Sequence, residues 1–149
     1  MPHSIPTEIK VLFIAGFGPV VTKQEENESL FKNILRLPLE TIDGYGGYLY
    51  SQHIQGVKHF ALWPLDKAAT SCFGTPDWPE DLPVPQAWLE IDVADIDSAT
   101  LILEENGYTL LTHVREEPWG QTVTRFLSPD GILMAVTHTP FLRETPDVE

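Results

Sequence analysis

Hydrophobic positions along the chain change their period several times, and each change marks an element. Residues Val11 to Val21 are mostly apolar, β-branched or aromatic, which predicts a strand closing near Gly18-Pro19. Glu25, Glu26 and Glu28 then open a helix, where the helix dipole favours acids. Its Leu30, Ile34 and Leu37 share a face until Pro38 stops it. After the Gly-rich Asp43–Gly47, the stretches Tyr48–Ile54 and Val57–Trp63 flank the turn-like Gln55-Gly56 and predict a hairpin that Pro64 ends.

Residues 74 to 86 contain Pro76, Pro79, Pro83 and Pro85, too many for a regular element, and form a connection. Beyond it the order repeats. Trp88–Val93 predicts a strand, Asp97–Asn106 a helix ending at Gly107, and Thr109–Glu116 a strand. Thr122–Leu127 and Ile132–His138 form a hairpin around Ser128-Pro129-Asp130-Gly131. The expectation is one α+β domain over residues 1–149. It has a strand-helix-three-strand module at 10–73, a linker at 74–86, a second module at 87–139 and an acidic tail at 140–149.

Composition narrows the function classes. The 149 residues are enough for a hydrophobic core, and the longest uncharged apolar run, Val11 to Val21, is broken by Gly16, Gly18 and Pro19, leaving no membrane span. The first residues lack the basic start and apolar stretch of a secretory signal, and Cys72 has no partner for a disulfide. Both point to a reducing, cytoplasmic setting. A net charge of −13 argues against a nucleic-acid partner, which demands clustered Lys and Arg. Residues 1–75 carry −1 and residues 76–149 carry −12, so the second half sets the field. Such a field steers cationic ligands or simply keeps the chain in solution.

The second half carries a more specific signal. Ala87-Trp88-Leu89-Glu90-Ile91-Asp92-Val93-Ala94-Asp95-Ile96-Asp97, followed by a helix to Asn106-Gly107-Tyr108, resembles the opening of a module in the vicinal-oxygen-chelate superfamily, which includes glyoxalase I and bleomycin-resistance proteins. Glu117-Pro118-Trp119-Gly120, Phe126 and Ser128-Pro129-Asp130-Gly131 resemble a segment frequent in its bleomycin-resistance branch. In the first half only the helix Leu30-Phe31 to Leu35-Arg36-Leu37 matches, with Arg36 in place of the usual Gly and Lys23 in place of the usual Asp. The resemblance implies two βαβββ modules whose curled mixed sheets surround a groove, often completed by a dimer partner. It also implies metal ligands on the first and last strands of each module. Those positions fall here on Gly16, Trp63, Trp88 and Ala135, none of them an effective donor, so neither metal nor other cofactor is expected.

Strand alternation turns Leu89, Ile91 and Val93 toward the helices and Trp88, Glu90 and Asp92 toward the groove. Trp88 beside Glu90 suits a flat or cationic organic molecule, or else Trp88 fills the space a metal takes in relatives. Trp63 ends a strand and is either groove or core. Trp119 stands in a loop, where an aromatic serves recognition or folds back. Arg125 is read as a ligand contact or an ion-pair residue. His3, His53, His59, His113 and His138 show no short metal-ligand spacing, although His53 and His59 flank the predicted hairpin turn. Gly16-Phe17-Gly18 lacks the third Gly of a dinucleotide fingerprint and reads as strand irregularity. Cys72 lacks a local base, and the adjacent Glu116 and Glu117 point apart on a strand. The leading expectation is a homodimeric binding protein that sequesters a small planar or cationic, antibiotic-like ligand at Trp63, Trp88, Glu90, Trp119 and Arg125. The alternatives are a divergent lyase, isomerase or dioxygenase of the same superfamily, and an accessory domain whose groove a partner fills.

Overall fold

The computed structural model describes residues 8–143. Seven strands form one mixed sheet: β1 (Val11–Val21), β2 (Leu49–Ser51), β3 (Phe60–Pro64), β4 (Ala87–Val93), β5 (Leu110–Glu116), β6 (Thr122–Leu127) and β7 (Leu133–His138). Their order is β2-β3-β1-β4-β7-β6-β5. β1 runs parallel to β3 and β4 parallel to β7, while β1 and β4 meet antiparallel at the centre. The two halves of the sheet therefore mirror each other. In the first half the outermost strand is reduced to a single bridge, Glu40 to Tyr50.

Helices occupy both faces. On one face α3 (Ile96–Glu105) buries Ala99 and Leu103 against Val93, Phe126 and Val136. On the same face the first helix brings Phe31 to Val21, Leu49 and Leu62. Alternation sends Trp63, Trp88 and Leu133 to the opposite face, where they form a second core with Ala68 and Cys72 of α2 (Leu65–Phe73). Sequence reading left residues 65–73 unassigned after Pro64. The helix starts directly behind that proline, whose fixed φ suits a helix start, and closes at the left-handed Gly74.

Local chemistry accounts for the unequal helices. Asp95 caps α3 by accepting from the backbone N–H groups of Asp97 and Ser98, and the bonds to Ser98 hold its carboxyl below the usual range. At the corresponding place in the first half, Lys23 has no oxygen to offer. The helix predicted there as one piece is α1 (Gln24–Glu28) running into a π-helical turn, Ser29–Ile34, and Arg36 follows in the left-handed region at φ 60°. The hairpin is also shorter than its pattern suggested. β2 and β3 pair only from Leu49–Leu62 to Ser51–Phe60, so the predicted turn at Gln55-Gly56, closed by the Val57 N–H donating to the Ile54 carbonyl at 3.3 Å, sits at the tip of a longer loop over 52–59.

Candidate functional site

The groove is built on the face opposite α3, beginning with Trp88. β4 aims its indole across β1, and β1 passes beneath as Gly16-Phe17-Gly18. A Cβ at Gly16 would stand 2.9 Å from the ring, and one at Gly18 would overlap the Ala61 carbonyl. These glycines form a slot, and the expected strand irregularity is present beside it as a register shift against β4 between Ile14 and Gly16. With the slot open, Trp88 Nε1 donates to the Ala61 oxygen at 3.0 Å, and the ring meets Trp63 edge-on at 5.9 Å. Trp63 in turn donates its indole N–H to the Tyr45 hydroxyl at 2.9 Å, which brings the Gly-rich loop to the rim.

Above this floor lies a cavity of about 670 Å³, walled by Tyr45, Tyr48, Tyr50 and His59 on the first half and by Glu90, Trp119 and Gln121 on the second. Tyr48, Tyr50 and His59 lie within 24° of one another in plane, with centroids 5.6–6.3 Å apart. Trp119, 43% exposed, leans over Tyr45 and is fixed by its indole N–H donating to Gln121 Oε1 at 2.8 Å. Buried Asp92 is an anchor: Arg143 and the Thr139 N–H donate to it, laying Phe141 and Leu142 along the groove edge.

Charge in this region is internally matched. Glu90 accepts from Gln121 at 2.8 Å and from Arg125 at 3.0 Å. Arg125 also reaches Glu117 at 3.4 Å and Ser71 at 2.9 Å, and lies 4.8 Å over the Trp63 ring. Glu117 further accepts from the Ser71 hydroxyl. Arg125 is wholly buried, and burial alone would pull its pKa down; Glu90 foremost, with Glu117, outweighs this and raises it. The guanidinium therefore sits beneath the floor and ties α2 to the sheet, and it does not line the cavity.

The row Gly16, Glu90, Ala135, Arg125 runs in register across four strands. At two of the positions where the resemblance places metal ligands, Gly16 and Ala135 flank Glu90, and the small Ala135 leaves room for Arg125 to meet it. Both Glu90 oxygens and both His59 nitrogens already have partners. Among the described residues no three His, Cys, Asp or Glu side chains converge, so the donor set does not fit a divalent ion.

Of the residues read from sequence, Trp63, Trp88, Glu90 and Trp119 line one cavity. His53 turns away toward Glu40 at 3.8 Å and does not meet His59. Cys72 is buried against α2's neighbours, and burial pushes its thiol up to about 11, against the pull of Arg125, which suits packing rather than nucleophilic attack. His3 lies outside the described residues. Sequence reasoning missed Tyr45, Tyr48, Tyr50 and His59. The i, i+2 spacing of Tyr48 and Tyr50 on a predicted strand was a usable signal for a shared face.

No known protein family and no curated protein matches the chain. Solved structures do. A glyoxalase/bleomycin resistance protein/dioxygenase superfamily member from Vibrio splendidus 12B01 aligns over 89% of this chain and 100% of its own at 14% identity, with TM-score 0.56. A variant of Streptomyces coelicolor methylmalonyl-CoA epimerase in complex with 2-nitronate-propionyl-CoA aligns over 91% and 100% at 12% identity, with TM-score 0.51. The Mn(II)-bound glyoxalase from Novosphingobium aromaticivorans aligns over 87% of this chain and 40% of its own at 16% identity, with TM-score 0.50. The chain has the α+β fold of the glyoxalase/bleomycin-resistance, or vicinal-oxygen-chelate, superfamily, as its second-half motifs implied. Among the described residues no helix is long and apolar enough to cross a membrane.

Proposed function

We propose that this protein binds a planar organic molecule in the aromatic groove and holds it without chemical change or metal. The observation that carries this reading is the groove wall. Tyr48, Tyr50 and His59 present near-parallel rings on one side, and Trp119 stands on the other, around a cavity of a size suited to a drug-like ligand. Stacking, rather than charge, is the main attraction. Among the described residues Glu90 is the one carboxylate on the wall, and Arg125 already compensates it, which favours the planar over the cationic part of the earlier expectation.

Tyr48 and His59 form the groove's closest proton-transfer pair, at 2.7 Å. Burial raises the Tyr48 pKa well above its ordinary value and lowers that of His59, so both favour their neutral forms and suit recognition better than acid-base work. A homodimer, a cytoplasmic location and an antibiotic-like ligand are further parts of this proposal. Thermal unfolding with panels of planar tricyclic and matched saturated compounds tests it. A planar ligand at 100 times its Kd should stabilise the protein by about 2.7 kcal/mol. Absence of any stabilisation by the planar set at millimolar concentration would refute the proposal.

A further inference from the structure

Inside the groove three polar side chains form a chain with a direction. Gln52 Nε2 lies 3.1 Å from His59 Nδ1, and His59 Nε2 lies 2.7 Å from the Tyr48 hydroxyl oxygen. With the Gln52 amide oriented so that its nitrogen faces Nδ1, that nitrogen donates, Nδ1 accepts, and the imidazole proton sits on Nε2. That Nε2–H donates to the Tyr48 oxygen. The Tyr48 hydroxyl proton is left over, and it takes no other partner among the described residues, although Tyr48 lines the cavity.

We propose that Tyr48 is a specificity-determining donor: its hydroxyl, oriented by His59 and Gln52, selects planar ligands that carry a carbonyl or similar acceptor oxygen at the ring edge. This rests on the aromatic-groove reading and adds a polar requirement to it. The direction follows from the geometry of the chain, and burial reinforces it by favouring the neutral form of each group. His59 is a positioning residue. By occupying one lone pair of the Tyr48 oxygen, it turns the remaining O–H away from itself. A ligand without an acceptor leaves that O–H unpaired in an apolar wall, which costs part of the stacking gain.

The test is a titration of 9-fluorenone and fluorene, which share a flat tricyclic frame and differ in one carbonyl oxygen, into the wild-type chain, Tyr48→Phe and His59→Leu, followed by tryptophan fluorescence. The expected result is that the wild type binds fluorenone roughly two- to twelvefold tighter than fluorene, the span one neutral hydrogen bond supports. Tyr48→Phe should bring the ratio to about one, chiefly by raising fluorene affinity as the unpaired O–H is removed, and His59→Leu should lower it partway. Equal binding of the two compounds by the wild type, or an unchanged ratio in Tyr48→Phe, would overturn the inference and leave the aromatic groove standing. Binding of neither compound would overturn the groove reading and this inference with it. An unchanged ratio in His59→Leu would remove the positioning role.

Discussion

The indole of Trp88 lies so close against the backbone of Gly16 that a Cβ there would come within 2.9 Å of Cη2. Wall and floor of the groove are thus set by one residue that is large and one that is absent of side chain. Gly16→Val should destabilise the protein by about 1–3 kcal/mol, through overpacking at the sheet centre. Urea unfolding of Gly16→Val, Trp88→Ala and the double variant checks this. The double variant should be more stable than the sum of the single losses predicts, because removing the indole removes the clash. Strict additivity would show that the two residues do not share the slot.

Arg125 and its two carboxylates hold α2 onto the sheet. Arg125→Met leaves Glu90 and Glu117 buried without their cation, a loss of about 3–5 kcal/mol. Chemical denaturation measures it. A loss below about 1 kcal/mol would show that water or a rearranged Arg115, now 3.7 Å from Glu117, takes over the charge.

The weak first helix offers a gain rather than a loss. Arg36 sits at φ 60°, a region glycine adopts without the Cβ penalty, and Lys23 stands at an N-cap without a capping oxygen. Arg36→Gly should stabilise by roughly 0.5–1 kcal/mol and Lys23→Asp by about 1 kcal/mol, with near-additive effects since they act at opposite ends. Unchanged urea midpoints in both would mean that tertiary contacts, not end chemistry, shape this segment.

Much of the second half was legible because period and end signals coincide there: alternation in Trp88–Val93, Asp95 as a cap, Gly107 as a stop. The predicted α3 and β4–β7 each agree with the structure to within a residue or so. The first half was harder for the same physical reasons in reverse. Lys23 and Arg36 replace end signals, and α2 begins behind a proline that reads locally as a stop. Trp88 and Glu90 could be placed on a common face from alternation along one strand, whereas Trp63, ending another strand, stayed open between groove and core. The partnership of Glu90 with Arg125 depends on strand order, through Ala135, and no local pattern encodes it. Tyr45 reaches the groove from a loop and Phe141 from the short 3-10 turn Pro140–Leu142, where side-chain direction follows contacts distant in sequence.

If the groove binds flat molecules by ring contact, 9-fluorenone must bind the wild type and Trp119→Ala with different affinities, and titration calorimetry measures both. Trp119 is half-exposed and held through Gln121, so its removal deletes one wall while leaving the Trp63–Trp88 floor in place. A stacked contact contributes about 0.5–1.5 kcal/mol, so Trp119→Ala should weaken binding by roughly two- to twelvefold with little change in unfolding temperature. Equal affinity of the two proteins for 9-fluorenone, or no binding by either, would contradict the account.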